Sequence, residues 1–206
     1  MTKFRTALCA ILLLTLGGCI SLFPKLPPAQ LYSFGVAPAP AQPPAPGAFN
    51  VLHLSTEFTL PAQGDRILTA TGTEAAYIAG SLWESPASTL FDEAEQRAFD
   101  QSSGPARLLH RGDPATAPVG LTLNVQSFEA RYSGDPKVPP TVVVTVHAML
   151  TSPADRKILG DQMFVSRQPA SDNRVSAIVD AFNAATNDVL TQIVAWTSQR
   201  GAPAGV

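Results

Sequence analysis

Two neighbouring stretches, "LTLNVQSFEARY" from Leu121 to Tyr132 and "TVVVTVHAML" from Thr141 to Leu150, decide the fold. In the first, Leu121, Leu123 and Val125 alternate with polar residues, which is the period of a strand with one buried face. The second is dense in β-branched residues, which pack well on a pleated surface. A short turn region separates the two stretches. They therefore predict adjacent antiparallel strands.

Further strand candidates lie on both sides of this pair. Residues 157–167 return as a third strand, so the three together predict an antiparallel meander. Gly72 separates two short upstream candidates and predicts a hairpin between them. The upstream strand candidates are residues 31–34, 49–58, 66–71, 74–78 and 106–109.

Two segments with helical spacing of apolar residues follow or interrupt the strands. Ser85 is the predicted cap of the first helix, with Pro86 at its first helical position and its end at Phe99. The second helix is predicted from Asp172 to Gln199, with Ser171 or Asp172 as its cap. This order of elements predicts an α+β fold: a mostly antiparallel sheet with two amphipathic helices packed on one face.

The two tryptophans are candidates for this core. Trp196 falls on the apolar stripe of the second helix, so we interpret it as a core residue rather than a lipid or partner contact. For Trp83 the sequence leaves both interpretations open.

The first 18 residues have the order of a secretory signal peptide. Lys3 and Arg5 precede a mostly apolar run from Leu8 to Leu16, and the small residues Gly17 and Gly18 follow it. The run is shorter than the roughly 20 residues that a helix needs to cross a bilayer. We therefore expect it to serve export rather than to remain as an anchor.

Cys19 directly follows the small residues. The stretch "LGGC" ending at Cys19 resembles a bacterial lipobox. That resemblance implies cleavage between Gly18 and Cys19, an S-diacylglyceryl group on the Cys19 thiol and acylation of the new amino group. Several acyl chains hold a protein firmly on a membrane, whereas one alone is marginal. A soluble secreted protein with an incidental cysteine, an uncleaved anchor and a buried helix are the alternatives.

The composition after cleavage describes a small single-domain protein. Loss of residues 1–18 removes Cys9 and leaves 188 residues with Cys19 as the only cysteine, so an internal disulfide is excluded. Removal of Lys3 and Arg5 changes the formal net charge from −2 to −4. This balance gives no indication of a nucleic-acid partner.

The predicted organisation has four parts. Residues 1–18 form the signal peptide, and residues 19–30 the acylated cysteine with a proline-rich stalk. Residues 31–200 form the α+β domain, and residues 201–206 a flexible tail. Proline-rich chain favours extended polyproline geometry, although disorder of the whole stretch up to Gly47 is the alternative.

The sequence predicts no metal ligands and no cofactor-binding residues. His53, His110 and His147 fall on different elements, and none has a second ligand at zinc spacing. We interpret His147 as a packed or hydrogen-bonded sheet residue. The sequence has neither a GxSxG elbow nor a glycine-rich phosphate loop. The chain is therefore not predicted to be an enzyme.

Two charged motifs receive structural interpretations. Glu93 and Glu95 are two residues apart on the first predicted helix and so point in different directions. Together with Asp92 they are interpreted as a solvated helix face. Arg111-Gly112-Asp113 spells an adhesion tripeptide, which we interpret as a chance occurrence in a loop.

Several motifs follow one another along the chain in a characteristic order. A lipobox and a proline-rich segment lead to "LYSFG" at Leu31 to Gly35, and Trp83 precedes a proline-led amphipathic helix. The later motifs are "LTLNVQSFEARY", "KILGDQMF" and, in the last helix, "VLTQIVAW". This order resembles the ABC-type transport auxiliary lipoprotein family, the PqiC-like proteins. The chain departs from the family in its proline-rich loop at 36–48 and in a loose match at 65–79.

This resemblance implies a small periplasm-facing lipoprotein without enzymatic activity. Such proteins act with MlaE-type permeases, their ATPases and MCE-domain proteins, which move lipids between the two membranes. The expected partners are thus an MCE-domain protein and the membrane, through the lipid anchor, and a homo-oligomeric ring is left open. Ile20 in place of aspartate after the cysteine favours the outer membrane under the sorting rule of enteric bacteria.

Two other functions stay open. One is a different envelope-assembly lipoprotein that binds lipopolysaccharide or a β-barrel. The other is a hydrolase whose site is assembled from scattered residues, and the family supplies no catalytic residue for it.

Overall fold

The computed structural model describes residues 28–35, 40–43, 45–109, 112–135 and 137–202. Several predictions fall outside these ranges and are not tested by it: the signal peptide and its cleavage site, Cys19, the stalk up to residue 27, and residues 203–206 of the tail. His110 and Arg111 also lie outside the described residues.

Eight strands and two helices make up the described part of the chain, in the predicted order of strands, helix, strands and helix. The strands are β1 (Gln30–Tyr32), β2 (Phe49–Phe58), β3 (Arg66–Thr71), β4 (Glu74–Trp83), β5 (Ala106–Leu109), β6 (Val119–Tyr132), β7 (Thr141–Ser152) and β8 (Lys157–Pro169). The helices are α1 (Ala87–Asp100) and α2 (Val175–Arg200).

The predicted meander is confirmed and forms the longest ladders of the sheet. β6 pairs antiparallel with β7, with Leu123 opposite Ala148, and β7 pairs antiparallel with β8, with Val146 opposite Phe164. These four side chains are buried, as the alternation of apolar residues requires. The hairpin of β3 and β4 is also confirmed, and Gly72 has the positive φ of 59° that its turn needs.

The sheet is mixed because two strands pair in parallel with the second edge of β6. β2 pairs parallel with the first half of β6, with Val51 opposite Val119, and β3 pairs parallel with its end, with Thr69 opposite Ala130. β5 adds to β2 and β1 adds to β4, both in parallel. The α+β class is thus confirmed, with parallel ladders beside the antiparallel meander.

Both helices pack against the sheet and against each other. α2 lies on β7 and β8, whereas α1 lies on β2 and β5. Among the described residues, neither helix combines the length and the hydropathy needed to cross a bilayer.

The predicted side-chain caps of the helices are wrong. Pro86 is the N-cap residue of α1, and Arg174 is that of α2; neither makes a side-chain capping hydrogen bond. The first amides of α1 find tertiary acceptors instead. Ala87 N–H donates to the Gly64 carbonyl at 2.9 Å, and Ser88 N–H donates to the Gln63 carbonyl at 3.3 Å. Backbone carbonyls of a loop distant in sequence therefore accept the hydrogen bonds that a capping side chain would otherwise accept.

An aromatic cluster fills the core beside Phe128, between the segment of β6 that pairs with β2 and the segment that pairs with β3. Phe128 lies at its centre, with ring centroids of its neighbours at 4.9–6.4 Å. These neighbours are Phe34, Phe58, Trp83, Phe91 and Phe182. The structure thus makes Trp83 a core residue. Trp196 is buried as predicted, edge-on to Phe164 at 5.6 Å.

Candidate functional site: a buried histidine–carboxylate cluster

A histidine and a glutamate meet inside the domain, between strand and helix. His53 Nδ1 on β2 lies 3.0 Å from Glu95 Oε2 on α1. The Glu95 side chain is completely buried, and that of His53 is 14% exposed. The hydrogen bond with Glu95 raises the pKa of His53; burial opposes this shift, and the charges of Glu95 and Asp92 add to it.

Helical spacing places Glu95 inside the protein. Phe91 and Phe99 lie four residues before and four residues after it, and all three side chains are fully buried. The interpretation of Asp92, Glu93 and Glu95 as one solvated face is therefore wrong for Glu95. Glu93 does face outward, where Arg97 Nη1 lies 3.4 Å from its Oε2.

Asp92 joins the cluster from the same helix. Asp92 and Glu95 are three residues apart, a spacing that puts both carboxylates on one side of a helix. One ligand atom from each of His53, Asp92 and Glu95 lies within 4.8 Å of the other two. Sequence reasoning compared Glu93 with Glu95 and missed this pair. The usable signal was a glutamate on the apolar stripe, which needs a buried partner.

The other described histidine takes part in a polar pair on the opposite side of the sheet. His147 Nε2 lies 2.6 Å from Asp161 Oδ1, and the two side chains are 34% and 54% exposed. The interpretation of His147 as a hydrogen-bonded sheet residue is confirmed. This pair is exposed to solvent, whereas the His53 cluster is largely buried.

The same open side of the sheet carries exposed apolar residues. β8 pairs with β7 alone among the described strands, so its second edge is unpaired there. Ile158, Met163 and Val165 on β8 are 63%, 45% and 38% exposed. Isolated exposed apolar residues are common, but a row of them on an edge strand favours contact with another molecule.

A concave surface lies between the end of α1 and the last turns of α2. This open groove has a volume of about 600 Å³. The residues that line the groove are uncharged, and several of them are small, such as Ser102, Gly104, Asn187 and Ser198. Such a lining supplies hydrogen bonds and shape but no charged anchor for a ligand.

Comparison with known families gives one match that covers most of the chain. The model of a family described as ABC-type transport auxiliary lipoprotein component matches residues 32–194. The match includes every described element from the end of β1 to most of α2. No curated protein matches the chain.

Solved structures share the fold at low sequence identity. The crystal structure of a Xanthomonas campestris protein of family DUF330 is 23% identical, with a TM-score of 0.73 over 84% of this chain and 97% of that one. A crystal structure of an uncharacterized protein is 13% identical, with a TM-score of 0.65 over 84% of this chain and 100% of that one. A hypothetical protein from Chlamydia trachomatis is 11% identical, with a TM-score of 0.52 over 74% and 97% of the two chains.

Proposed function

Because the chain belongs to the ABC-type transport auxiliary lipoprotein family, we propose that it is a non-catalytic accessory component of an MCE-type ABC lipid transport system. The match of the family model to residues 32–194 is the observation that carries this proposal. The system would move lipids between the inner and the outer membrane, with turnover supplied by the ATPase. The role of this chain is then to bind and position, which needs surfaces rather than a reaction centre.

The anchor in this proposal is Cys19. Its thiol carries a diacylglyceryl group and its amino group an acyl chain after cleavage at Gly18-Cys19. Ten residues lie between Cys19 and Gln30, where β1 begins, so the chain takes eleven residue steps from one to the other. At about 3.3–3.6 Å per residue, this tether spans at most about 36–40 Å. The domain thus stays close to the membrane that holds it.

The location that we propose is the periplasmic side of the outer membrane. Ile20 follows the modified cysteine, where aspartate would favour retention at the inner membrane. The expected partner is the MCE-domain protein of the transporter, which must approach the outer membrane to pass lipid. The open face of β8 and the groove beside α2 are the described surfaces that this partner has available.

Affinity purification of the acylated chain from detergent-extracted envelopes tests this function. We expect an MCE-domain protein, its permease and its ATPase among the copurifying proteins. The matched control is Cys19→Ser, which keeps the folded domain but loses the acyl chains. Recovery of lipopolysaccharide or β-barrel assembly proteins in place of the transporter would overturn the proposal and favour an envelope-assembly role.

A further inference from the structure

The His53 cluster has the geometry of a metal-binding site. Its three ligand atoms come from two elements that the core holds together, since Glu95 lies between the buried Phe91 and Phe99. All three atoms lie within 4.8 Å of one another. Three atoms that each lie about 2.0–2.2 Å from one ion are typically 3–4 Å apart, so small side-chain rotations suffice to close the site.

The charges of the cluster favour a divalent cation. The cluster offers two carboxylates and one imidazole. A divalent ion that binds two ionised carboxylates and a neutral imidazole forms a site with no net charge. Burial of the carboxylates costs less in such a site than without a bound cation.

One oxygen of the cluster has no hydrogen-bond donor within the described part of the chain. Asp92 Oδ1 is buried and accepts no hydrogen bond from the described residues. Most buried polar atoms have a partner, so an oxygen in this position calls for a water molecule or an ion. It belongs to the same carboxylate that lies beside His53 and Glu95.

We propose that His53, Asp92 and Glu95 bind one divalent transition-metal ion of the Zn²⁺ class. One imidazole nitrogen and two carboxylate oxygens suit Zn²⁺, whereas Ca²⁺ and Mg²⁺ prefer sites built from oxygen alone. Three protein ligands leave a fourth position for water or another small ligand. The ion would tie β2 to α1, and the partly exposed edge of His53 gives it a route of entry. This proposal is independent of the proposed transport role.

The competing explanation is a plain ion pair in which a proton takes the place of the metal. The distance of 3.0 Å between His53 Nδ1 and Glu95 Oε2 suits such a pair as well. The two explanations exclude each other when the metal binds at Nδ1, because it then needs the lone pair that the proton occupies. A direct metal titration therefore separates them.

The test is calorimetric titration of the chelator-treated, acylated protein in detergent with Zn²⁺ alone at pH 7.5. We expect one equivalent to bind, and Asp92→Asn and His53→Gln to weaken binding at least about tenfold. Asp92→Asn is the safer variant for folding, because that side chain is only partly buried. The matched control is His147→Gln, which removes the exposed His147–Asp161 pair and should leave the affinity unchanged.

Co²⁺ in place of Zn²⁺ supplies a spectroscopic reading of the same site. A site with one imidazole and two carboxylates gives visible d–d absorption that Asp92→Asn should abolish or shift. Failure of Zn²⁺ to bind, or binding that His147→Gln removes and Asp92→Asn does not, would overturn the proposal. Folding of each variant is checked by far-UV circular dichroism, so loss of binding in an unfolded variant does not count as support.

Discussion

A methyl group added at Gly160 on β8 tests how closely α2 packs on the sheet. A Cβ atom built at Gly160 would lie 2.7 Å from Trp196 Cζ2 on α2. Ordinary contacts of a Cβ atom begin near 3.4 Å, so the indole ring would have to move by about 0.7 Å. That ring is 7% exposed and packs edge-on against Phe164 at 5.6 Å, which leaves it little room.

We therefore expect Gly160→Ala to lower the free energy of unfolding by about 1–3 kcal/mol, the usual cost of overpacking a core. For a domain of this size, that corresponds to a fall in Tm of about 2–4 °C per kcal/mol. Urea denaturation followed by far-UV circular dichroism measures the change without relying on the tryptophan itself.

A matched control and a compensating change sharpen this test. Gly64 has no positive φ and no atom within 4 Å of an added Cβ, so Gly64→Ala should be neutral or stabilise by about 0.4–1 kcal/mol. Trp196→Phe removes part of the obstructing ring and should recover some of the loss caused by Gly160→Ala. Equal stability of Gly160→Ala and the parent, or strict additivity with Trp196→Phe, would refute the packing argument.

Three further predictions concern the core, the buried ion pair and the anchor. Phe128→Ala should lower the free energy of unfolding in urea by about 3–5 kcal/mol, because it empties the centre of the aromatic cluster. Val165→Ala, on the exposed side of β8, should lower it by well under 1 kcal/mol. Similar losses for the two variants would contradict the core described here. With a chelator present, the advantage of the parent over His53→Gln in urea midpoint should be largest below the usual histidine pKa of 6.5 and should shrink as pH rises through the raised folded-state pKa. An advantage that grows with pH would show that the Glu95 hydrogen bond does not stabilise the imidazolium. Cys19→Ser should move the chain from the membrane fraction to the soluble periplasmic fraction on sucrose-gradient separation, and membrane retention of this variant would count against a lipid anchor.

Local patterns were sufficient to predict most of the elements. The alternation from Leu121 to Val125 predicts β6 because the period of two residues is decided by neighbours along the chain. The β-branched run that became β7 is a local signal of the same kind. The parallel ladders were not predictable in this way, since β2 pairs with β5 and β6, which lie far along the sequence. Nothing in the local pattern of β2 indicates which distant strand it will join.

The candidate site was missed for a related reason. A search for short ligand spacings cannot find a histidine on β2 that meets two carboxylates on α1, because tertiary packing alone brings them together. Glu95 nevertheless lies four residues from Phe91 and from Phe99, on the stripe that faces the core. An ionisable residue on such a stripe is the sequence signal that identifies a buried polar site.

Photo-crosslinking in living cells tests directly whether this chain is an accessory binding component of an MCE-type lipid transporter. A photoreactive amino acid is placed in the acylated chain at Val165 on β8 or at Thr191 beside the groove, and at Phe182 in the core as a control that no partner can reach. We expect covalent adducts with an MCE-domain protein from at least one surface position and none from Phe182. Adducts with lipopolysaccharide or β-barrel assembly proteins alone would contradict this role.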